Sequence, residues 1–120
     1  MSPVLALTAG ALFAAGTYLI TQRILTRIII GLGLISHGAN LLLLGSGGAP
    51  GAAPILDGSD QALADPLPQA LVLTALVITF GVTAFLLALA YRSQVLTRSD
   101  AVEDDLEDRR ISAAHRKDAT

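Results

Sequence analysis

Three long apolar stretches constrain what this chain of 120 residues can fold into. They are Met1–Gln22, Ile28–Leu56 and Pro66–Tyr91, and every Asp, Glu, Lys and Arg lies outside them. A helix needs about 20 apolar residues to cross the roughly 30 Å hydrocarbon core of a bilayer. The stretches therefore predict an all-α membrane protein with three transmembrane helices. We expect these helices at about residues 3–22, 28–45 and 66–91.

The first stretch lacks the basic start of a signal peptide, since no Lys or Arg precedes Arg23. We interpret it as a retained membrane span. One membrane domain, residues 1–92, is then followed by a charged cytoplasmic tail, residues 93–120.

Arginines at the ends of the stretches predict the orientation. Short cytoplasmic loops are enriched in Lys and Arg. Arg23 and Arg27 lie in the expected link between the first two spans, and Arg92 and Arg98 follow the third. The intervening loop, Gly45–Asp65, has three Asp and no basic residue. We expect the N-terminus and this loop outside, and the C-terminus in the cytoplasm.

The connecting segments leave two questions open. The Gly-, Pro- and Ala-rich start of the outer loop, Gly45–Pro54, cannot sustain a helix, so it is either flexible or pinned by partners. The tail Ser99–Thr120 is too polar to bury a core. We expect it to be solvated and partly disordered, with a short helix docked on a partner as the alternative.

Small and polar residues recur at helical spacing in the first two spans. Ala6, Gly10 and Ala14 lie at i, i+4 and i+8, which predicts the packing face of the first helix. The second helix carries one polar and small stripe that should face protein, while its other side faces lipid. This stripe consists of Gly33, Ser36, His37 and Asn40.

The third span offers matching polar positions in Thr74, Thr79 and Thr83. Threonine hydroxyls in membrane helices usually bond to a carbonyl one turn back or to a neighbouring helix, so we favour a structural role over a proton wire. His37 is the one titratable group within a span. Desolvation favours its neutral, hydrogen-bonded form, although a proton carrier stays an alternative.

Asp65 and Gln69 stand at the expected outer entrance of the third span. Asp65 followed by Pro66 predicts a helix N-cap, which we favour over cation capture.

The sequence does not predict an enzyme, a cofactor or a metal site. There is no cysteine, the two histidines are distant in sequence, and no catalytic triad is recognisable. A tail with more acids than bases does not predict nucleic-acid binding.

Two segments resemble a known family. Gly31–Leu41 and, more specifically, the Asp-Pro-Leu-Pro-Gln-Ala-Leu run at Asp65–Leu71 closely resemble the C subunit of the Mrp/Mnh multisubunit Na⁺/H⁺ antiporters. That family is related to the K subunit of respiratory complex I. The resemblance covers all three spans, Pro3 to Arg92.

The resemblance implies a small multi-pass subunit in the bacterial cell membrane, within a complex that exchanges Na⁺ for H⁺. Its partners would be the lipid bilayer, large antiporter-like A and D subunits and other small hydrophobic subunits. The complex I relative has relay glutamates at positions that fall here at about Gly33 and at Ile78 or Thr79. Because these carboxylates are absent, we expect a scaffold and lateral wall whose partners supply the charged steps. The polar positions of the second and third spans would then face partner subunits or line an ion path; they are Gly33, Ser36, His37, Asn40, Thr74, Thr79 and Thr83.

Two other classes of membrane protein fit the size of the chain. A small multidrug transporter would be expected to have a membrane-embedded carboxylate and four spans. A holin-like, self-associating protein is the stronger alternative, because small-residue faces also allow self-association.

Overall fold

Four helices make up most of the computed structural model, which describes residues 2–48, 51–58, 60–102 and 106–119. Helix α1 spans Pro3–Ile20, α2 Leu25–Gly45, α3 Pro66–Thr97 and α4 Leu106–Asp118. The described part has no strand, only two isolated β-bridges. The prediction of an all-α protein is confirmed.

Helices α1, α2 and α3 are each long and apolar enough to cross a membrane, with 18, 21 and 32 residues. None of the residues in the most apolar window of α3 is buried, although that window has a mean hydropathy of 2.5. Its side chains are therefore left to contact lipid or other proteins.

Two side-chain caps begin the first and third helices. The Ser2 hydroxyl accepts a hydrogen bond from the Leu5 amide at 3.3 Å, and an Asp65 carboxylate oxygen accepts one from the Leu67 amide at 3.0 Å. A proline follows each cap, where no helical hydrogen bond is lost. The predicted helix start at Asp65 is confirmed.

The second helix lies at the centre of the fold. It packs against both α1 and α3, which do not contact each other through their described residues. The contact with α1 uses Gly16 and Gly31: a β-carbon built on Gly16 would come within 2.8 Å of the Gly31 carbonyl oxygen. The backbones of the two helices therefore approach as closely as glycine allows.

The face of α1 that packs on α2 differs from the predicted one. Ala9 and Gly16 are buried, whereas Ala6, Gly10 and Ala14 are exposed, and a β-carbon on Gly10 would meet no atom within 4 Å. Within the described fold, α1 therefore does not pack through Ala6, Gly10 and Ala14, and packing of that face on another protein stays a prediction. Since α1 is apolar on all sides, the spacing of its small residues could not distinguish the two faces.

The helix bounds also differ from the predicted ones. Helix α2 begins at Leu25 instead of residue 28, so Arg27 lies in its first turn and not in the link. Helix α3 continues past the predicted end at residue 91 to Thr97, where Arg98 adopts a left-handed conformation with φ of 54°. Arg92 therefore lies on α3, which crosses the predicted boundary between membrane domain and tail.

The beginning of the tail pairs with the link between α1 and α2. The Leu25 amide donates to the Asp100 carbonyl at 2.8 Å, and the Val102 amide donates to the Arg23 carbonyl at 2.7 Å. These bonds flank the antiparallel pair Ile24 and Ala101. We call this pairing of residues 23–25 with 100–102 the clasp. It ties the end of α3 to the α1–α2 hairpin.

Farther along, the tail forms α4, so the expectation of disorder does not hold for these residues. Its last turn carries His115, Arg116 and Lys117, and the positive charges of Arg116 and Lys117 complement the helix dipole. The Arg116 guanidinium donates to the Thr97 carbonyl at 3.0 Å. Docking of this helix on a partner stays a prediction.

Backbone hydrogen bonds join the two ends of the described part of the loop between α2 and α3. Ala52 exchanges backbone hydrogen bonds of 2.9 Å with Ala62 and Ala64. Ala49 and Pro50 of the predicted flexible segment lie outside the described residues.

Candidate subunit interface on the second helix

The polar stripe lies on the side of α2 that faces away from α1. Gly31 and Gly38 contact α1, through Gly16 and through the ring of Phe13. At about 100° per residue, the stripe residues lie on average roughly 180° around the helix from Gly31. They are Gly33, Ser36, His37 and Asn40. The α1–α2 contact therefore leaves the stripe uncovered.

The residues of the stripe differ in their hydrogen bonds and in the space around them. The Ser36 hydroxyl donates to the Leu32 carbonyl at 3.0 Å, so Ser36 is paired within its own helix. A β-carbon on Gly33 would meet open space. His37 is exposed, and its ring has no hydrogen-bond partner among the described residues. In hydrocarbon, such a polar group needs a partner from outside the chain.

Asn40 is half-buried, and its amide nitrogen is shielded without an acceptor within the part of the chain described. A buried amide that lacks a partner costs about 1–3 kcal/mol. Because this nitrogen is shielded, His37 is the exposed side chain of the stripe that has unused hydrogen-bonding capacity.

Two of the three threonines lie level with this stripe. Helices α2 and α3 are antiparallel. Leu32 and Leu86 line the same groove, and a β-carbon built on Gly47 would lie 3.2 Å from the Pro68 Cγ atom. Residues 36–40 therefore lie level with about residues 76–81 of α3. Thr79 falls within this range, and Thr83 follows one turn later.

The third threonine is separate from the other two. Thr79 and Thr83 are half-buried and share a face, whereas Thr74 is exposed on another side of α3. The Thr74 hydroxyl donates to the Ala70 carbonyl at 3.0 Å, which is the structural bond expected of it. The predicted set of three is therefore not brought together.

Asp65 and Gln69 line an open cleft of about 540 Å³ at the end of the helices where α3 begins. Ser2 before α1, Leu5 of α1 and Gly47 after α2 also line the cleft, which the sequence did not predict. One carboxylate oxygen of Asp65 is used in the helix cap. Among the described residues no three His, Asp or Glu side chains cluster as metal ligands.

The packing glycines Gly16, Gly31 and Gly38 were also missed. The signal was present in the sequence, because Gly31 and Gly38 are seven residues apart and so lie on one helix face. Gly33, which lies between them in sequence, was predicted instead because it has helical spacing with Ser36, His37 and Asn40.

These features define a small three-span membrane protein with a central helix and largely uncovered outer faces. The family model for NADH-ubiquinone/plastoquinone oxidoreductase chain 4L matches residues 4–108. The chain belongs to this family, and within it to the group formed by the C subunits of the Na⁺/H⁺ antiporters.

Two relatives carry the assignment to this group. The Na⁺/H⁺ antiporter C subunit of Alkalihalophilus pseudofirmus is 52% identical over 94% of this chain and 98% of its own length. The protein of the same name from Bacillus subtilis is 49% identical over 86% of this chain and 92% of its own. The resemblance noted at Gly31–Leu41 and Asp65–Leu71 is thus confirmed.

Two solved structures are similar in fold. A chain of the Mrp complex from Dietzia sp. DQ12-45-1b is 40% identical, with a TM-score of 0.76 over 87% of this chain and 81% of that one. A chain of the membrane-bound sulfane sulfur reductase, an archaeal respiratory membrane complex, is 38% identical. Its TM-score is 0.67 over 78% of this chain and 87% of that one.

Proposed function

We propose that this chain is a small subunit of a multisubunit Na⁺/H⁺ antiporter in the bacterial cell membrane. It acts as a scaffold and lateral wall between larger subunits, with the N-terminus outside and the C-terminus in the cytoplasm. The relatives named as antiporter C subunits support the type of complex. Its partners are the other subunits of that complex, including the large antiporter-like ones.

One observation carries the scaffold role: the polar stripe of α2 is left uncovered by α1. His37 is exposed and has no partner among the described residues. A stripe with unused hydrogen-bonding groups in a membrane helix favours contact with another helix, where those groups find partners. We therefore assign this stripe to a partner subunit.

The charged steps of ion exchange belong to the partners. The α3 segment Pro66–Tyr91 has no carboxylate, and neither has α2. Intramembrane carboxylates commonly carry a proton or cation through hydrocarbon, and His37 is the one titratable group within the spans, whose role the substitutions below test. Thr79 and Thr83 can line an ion path beside such groups without supplying a charge.

Purification of a tagged version of this chain in mild detergent tests its place in a complex. We expect several larger hydrophobic subunits to co-purify in a fixed ratio. Recovery of the tagged chain as a homo-oligomer alone would refute the proposal. The holin-like alternative requires that outcome together with rapid loss of membrane integrity on expression, and the relatives described above do not support it.

Substitution of His37 separates a contact role from a proton-carrying one. His37→Asn keeps hydrogen-bonding groups and removes the titratable ring, so exchange per assembled complex should stay within about twofold of wild type. His37→Leu should lower the recovered partner subunits severalfold. Leu42→Ile, at an exposed position about 140° around α2 from His37, is the control.

Ion exchange and subunit assembly, measured separately, each have a result that would contradict the contact role of His37. Loss of exchange in His37→Asn with full assembly would show that His37 carries protons. Unchanged assembly in His37→Leu would mean that the imidazole contributes nothing to the interface.

A further inference from the structure

Helices α2 and α3 contact each other near both ends of α2. Near its start, Ile29 and Ala90 of α3 are both buried and line the same groove. Just past its end, a β-carbon built on Gly47 would lie 3.2 Å from the Pro68 Cγ atom. Five helical turns separate Ile29 from Gly47, so the two residues mark the side of α2 that faces α3.

One edge of the polar stripe lies on this side of α2. At about 100° per residue, Ser36 and Asn40 are about 20° from Ile29, Gly33 is about 40° from it, and His37 is about 80° from it. Their exposure agrees with these angles, because Gly33, Ser36 and Asn40 are half-buried and His37 is exposed. The stripe therefore has one edge toward α3 and another, at His37, that stays open to a partner.

The side of α3 that faces α2 carries Thr79 and Thr83. The less exposed residues of α3 recur every three or four positions, as expected for a contact between two helices. They are Pro68, Val72, Ala75, Thr79, Thr83, Leu86, Ala90, Ser93 and Thr97. In the antiparallel register of the two helices, Thr79 is level with the segment of α2 from Ser36 to Asn40.

Asn40 and Thr79 both have unused hydrogen-bonding groups at this contact. The Asn40 amide nitrogen is shielded and has no acceptor among the described residues. The Thr79 hydroxyl has no partner in the described part of the chain either, whereas Thr74 and Thr97 each donate to a carbonyl one turn back. A shielded polar group without a partner is costly, above all inside a bilayer.

The two helices stand apart between their end contacts. A β-carbon built on Gly33 would meet no atom within 4 Å, although Gly33 lies close to the side that faces α3. There is therefore room for α3 to move toward α2 at this level. A half-turn about the last bond of the Asn40 side chain exchanges its amide nitrogen and oxygen, so Asn40 can also accept a hydrogen bond.

We propose that Asn40 and Thr79 form a latch between α2 and α3, which is open in the described fold. The latch closes when α3 moves into the space beside Gly33 and the Thr79 hydroxyl donates to the Asn40 amide oxygen. Closure fixes the rotation of α3 relative to the exposed edge at His37, and so the angle between the surfaces that the two helices offer to partners. The latch lies within this chain and does not depend on which subunits surround it.

A double-mutant cycle tests whether Asn40 and Thr79 are coupled. Asn40→Leu and Thr79→Val each remove one partner and leave the other unpaired, so each should lower the melting temperature by several degrees. The double variant leaves neither group unpaired and should melt no lower than the less stable single variant. The tagged chain is measured in mild detergent, with any subunits that co-purify.

Thr74→Val is the matched control for this cycle. It makes the same change on another side of α3, so its effect should add to that of Asn40→Leu. Additive effects of Asn40→Leu and Thr79→Val as well would show that the two side chains do not interact, and would overturn the proposal.

Disulfide formation tests closure of the latch in the membrane. The natural chain has no cysteine, so each introduced pair is the only one present. Asn40→Cys with Thr79→Cys should cross-link under mild oxidation, because the closed latch brings the two side chains together. Asn40→Cys with Thr74→Cys should not.

A wedge beside Gly33 tests the movement of α3. Gly33→Leu fills the open space and should lower the yield of the disulfide between positions 40 and 79 severalfold. Gly10→Leu is the matched control and should leave the yield unchanged, since a β-carbon on Gly10 also meets open space but lies on α1. Circular dichroism and gel filtration show whether each variant folds.

Two results of the cross-linking would also overturn the latch. Coupling in the cycle without a disulfide between positions 40 and 79 would assign the coupling to a bridging water instead of a direct bond. Equal yields with Gly33→Leu and Gly10→Leu would mean that α3 does not move into the space beside Gly33.

Discussion

At the scale of single residues, the α1–α2 contact depends on two glycines, whose lack of a side chain lets the helices approach closely. A β-carbon on Gly16 would lie 2.6 Å from the Ile35 Cγ1 atom, and one on Gly31 would lie 2.7 Å from the Gly16 carbonyl oxygen. Both distances are below any normal van der Waals contact. The contact therefore tolerates no added methyl group without separating the helices.

Gly16→Ala should destabilise the chain by about 1–3 kcal/mol, because it overpacks a helix contact. Gly10→Ala is the matched control, since its new methyl group meets open space and alanine favours a helix over glycine. Thermal unfolding in detergent, followed by gel filtration, measures both. Equal melting temperatures for the two variants would show that the close approach at Gly16 is not required.

Two substitutions of Asp65 separate the effect of its charge from the effect of its helix cap. Asp65→Asn should keep the bond to the Leu67 amide and leave stability nearly unchanged, whereas Asp65→Ala should cost about 0.5–2 kcal/mol. Sodium-dependent exchange should be close to wild type in Asp65→Asn. A large fall in sodium affinity with assembly intact would instead favour cation capture at the outer cleft.

At the scale of helices, the sequence predicted which segments cross the membrane and did not predict how they face one another. The three spans follow from hydrophobic length, which is a property of each segment alone. The start of α2 at Leu25 was missed because the Leu25 amide bonds to Asp100, which is distant in sequence. Helix α4 was expected only as an alternative to disorder, because its apolar stripe is weak and its charged residues fit a solvated tail equally well.

The clasp can be tested directly because the chain has no cysteine. Ile24 and Ala101 form a pair flanked by hydrogen bonds, and such pairs have Cα atoms about 4.5 Å apart, within the range of a disulfide. Ile24→Cys with Ala101→Cys should therefore cross-link under mild oxidation in the membrane. Ile24→Cys with Ala113→Cys should not. Equal cross-linking of the two pairs would mean that residues 100–102 do not pair with residues 23–25.

At the scale of the whole molecule, the chain has almost no core. The buried apolar side chains of the described residues are Ala9, Ile29 and Ala90, while large apolar ones such as Leu7 and Phe80 are more than 75% exposed. Lipid and partner proteins therefore complete the environment of this fold. The identity of those partners could not be read from single residues, because most of the exposed surface is uniformly apolar.

The proposed orientation predicts opposite labelling of the two ends of the molecule. Gln61→Cys, in the outer loop, should react with a membrane-impermeant maleimide added to intact cells. Ala114→Cys, on α4, should react only after the cells are opened. The reverse pattern would place the arginine-flanked ends outside, contrary to the positive-inside rule.

The clasp also bears on the order of events during synthesis. The contacts of α1 with α2 are available once the first 45 residues have entered the membrane. The clasp, which joins the chain after α3 to the α1–α2 link, can form only once residues 100–102 have been synthesised, after α3 is complete. A chain truncated just after Thr97 would have all three spans and lack this closure. Only a chain synthesised beyond its last span can close the clasp, which thereby distinguishes a finished subunit from an incomplete one.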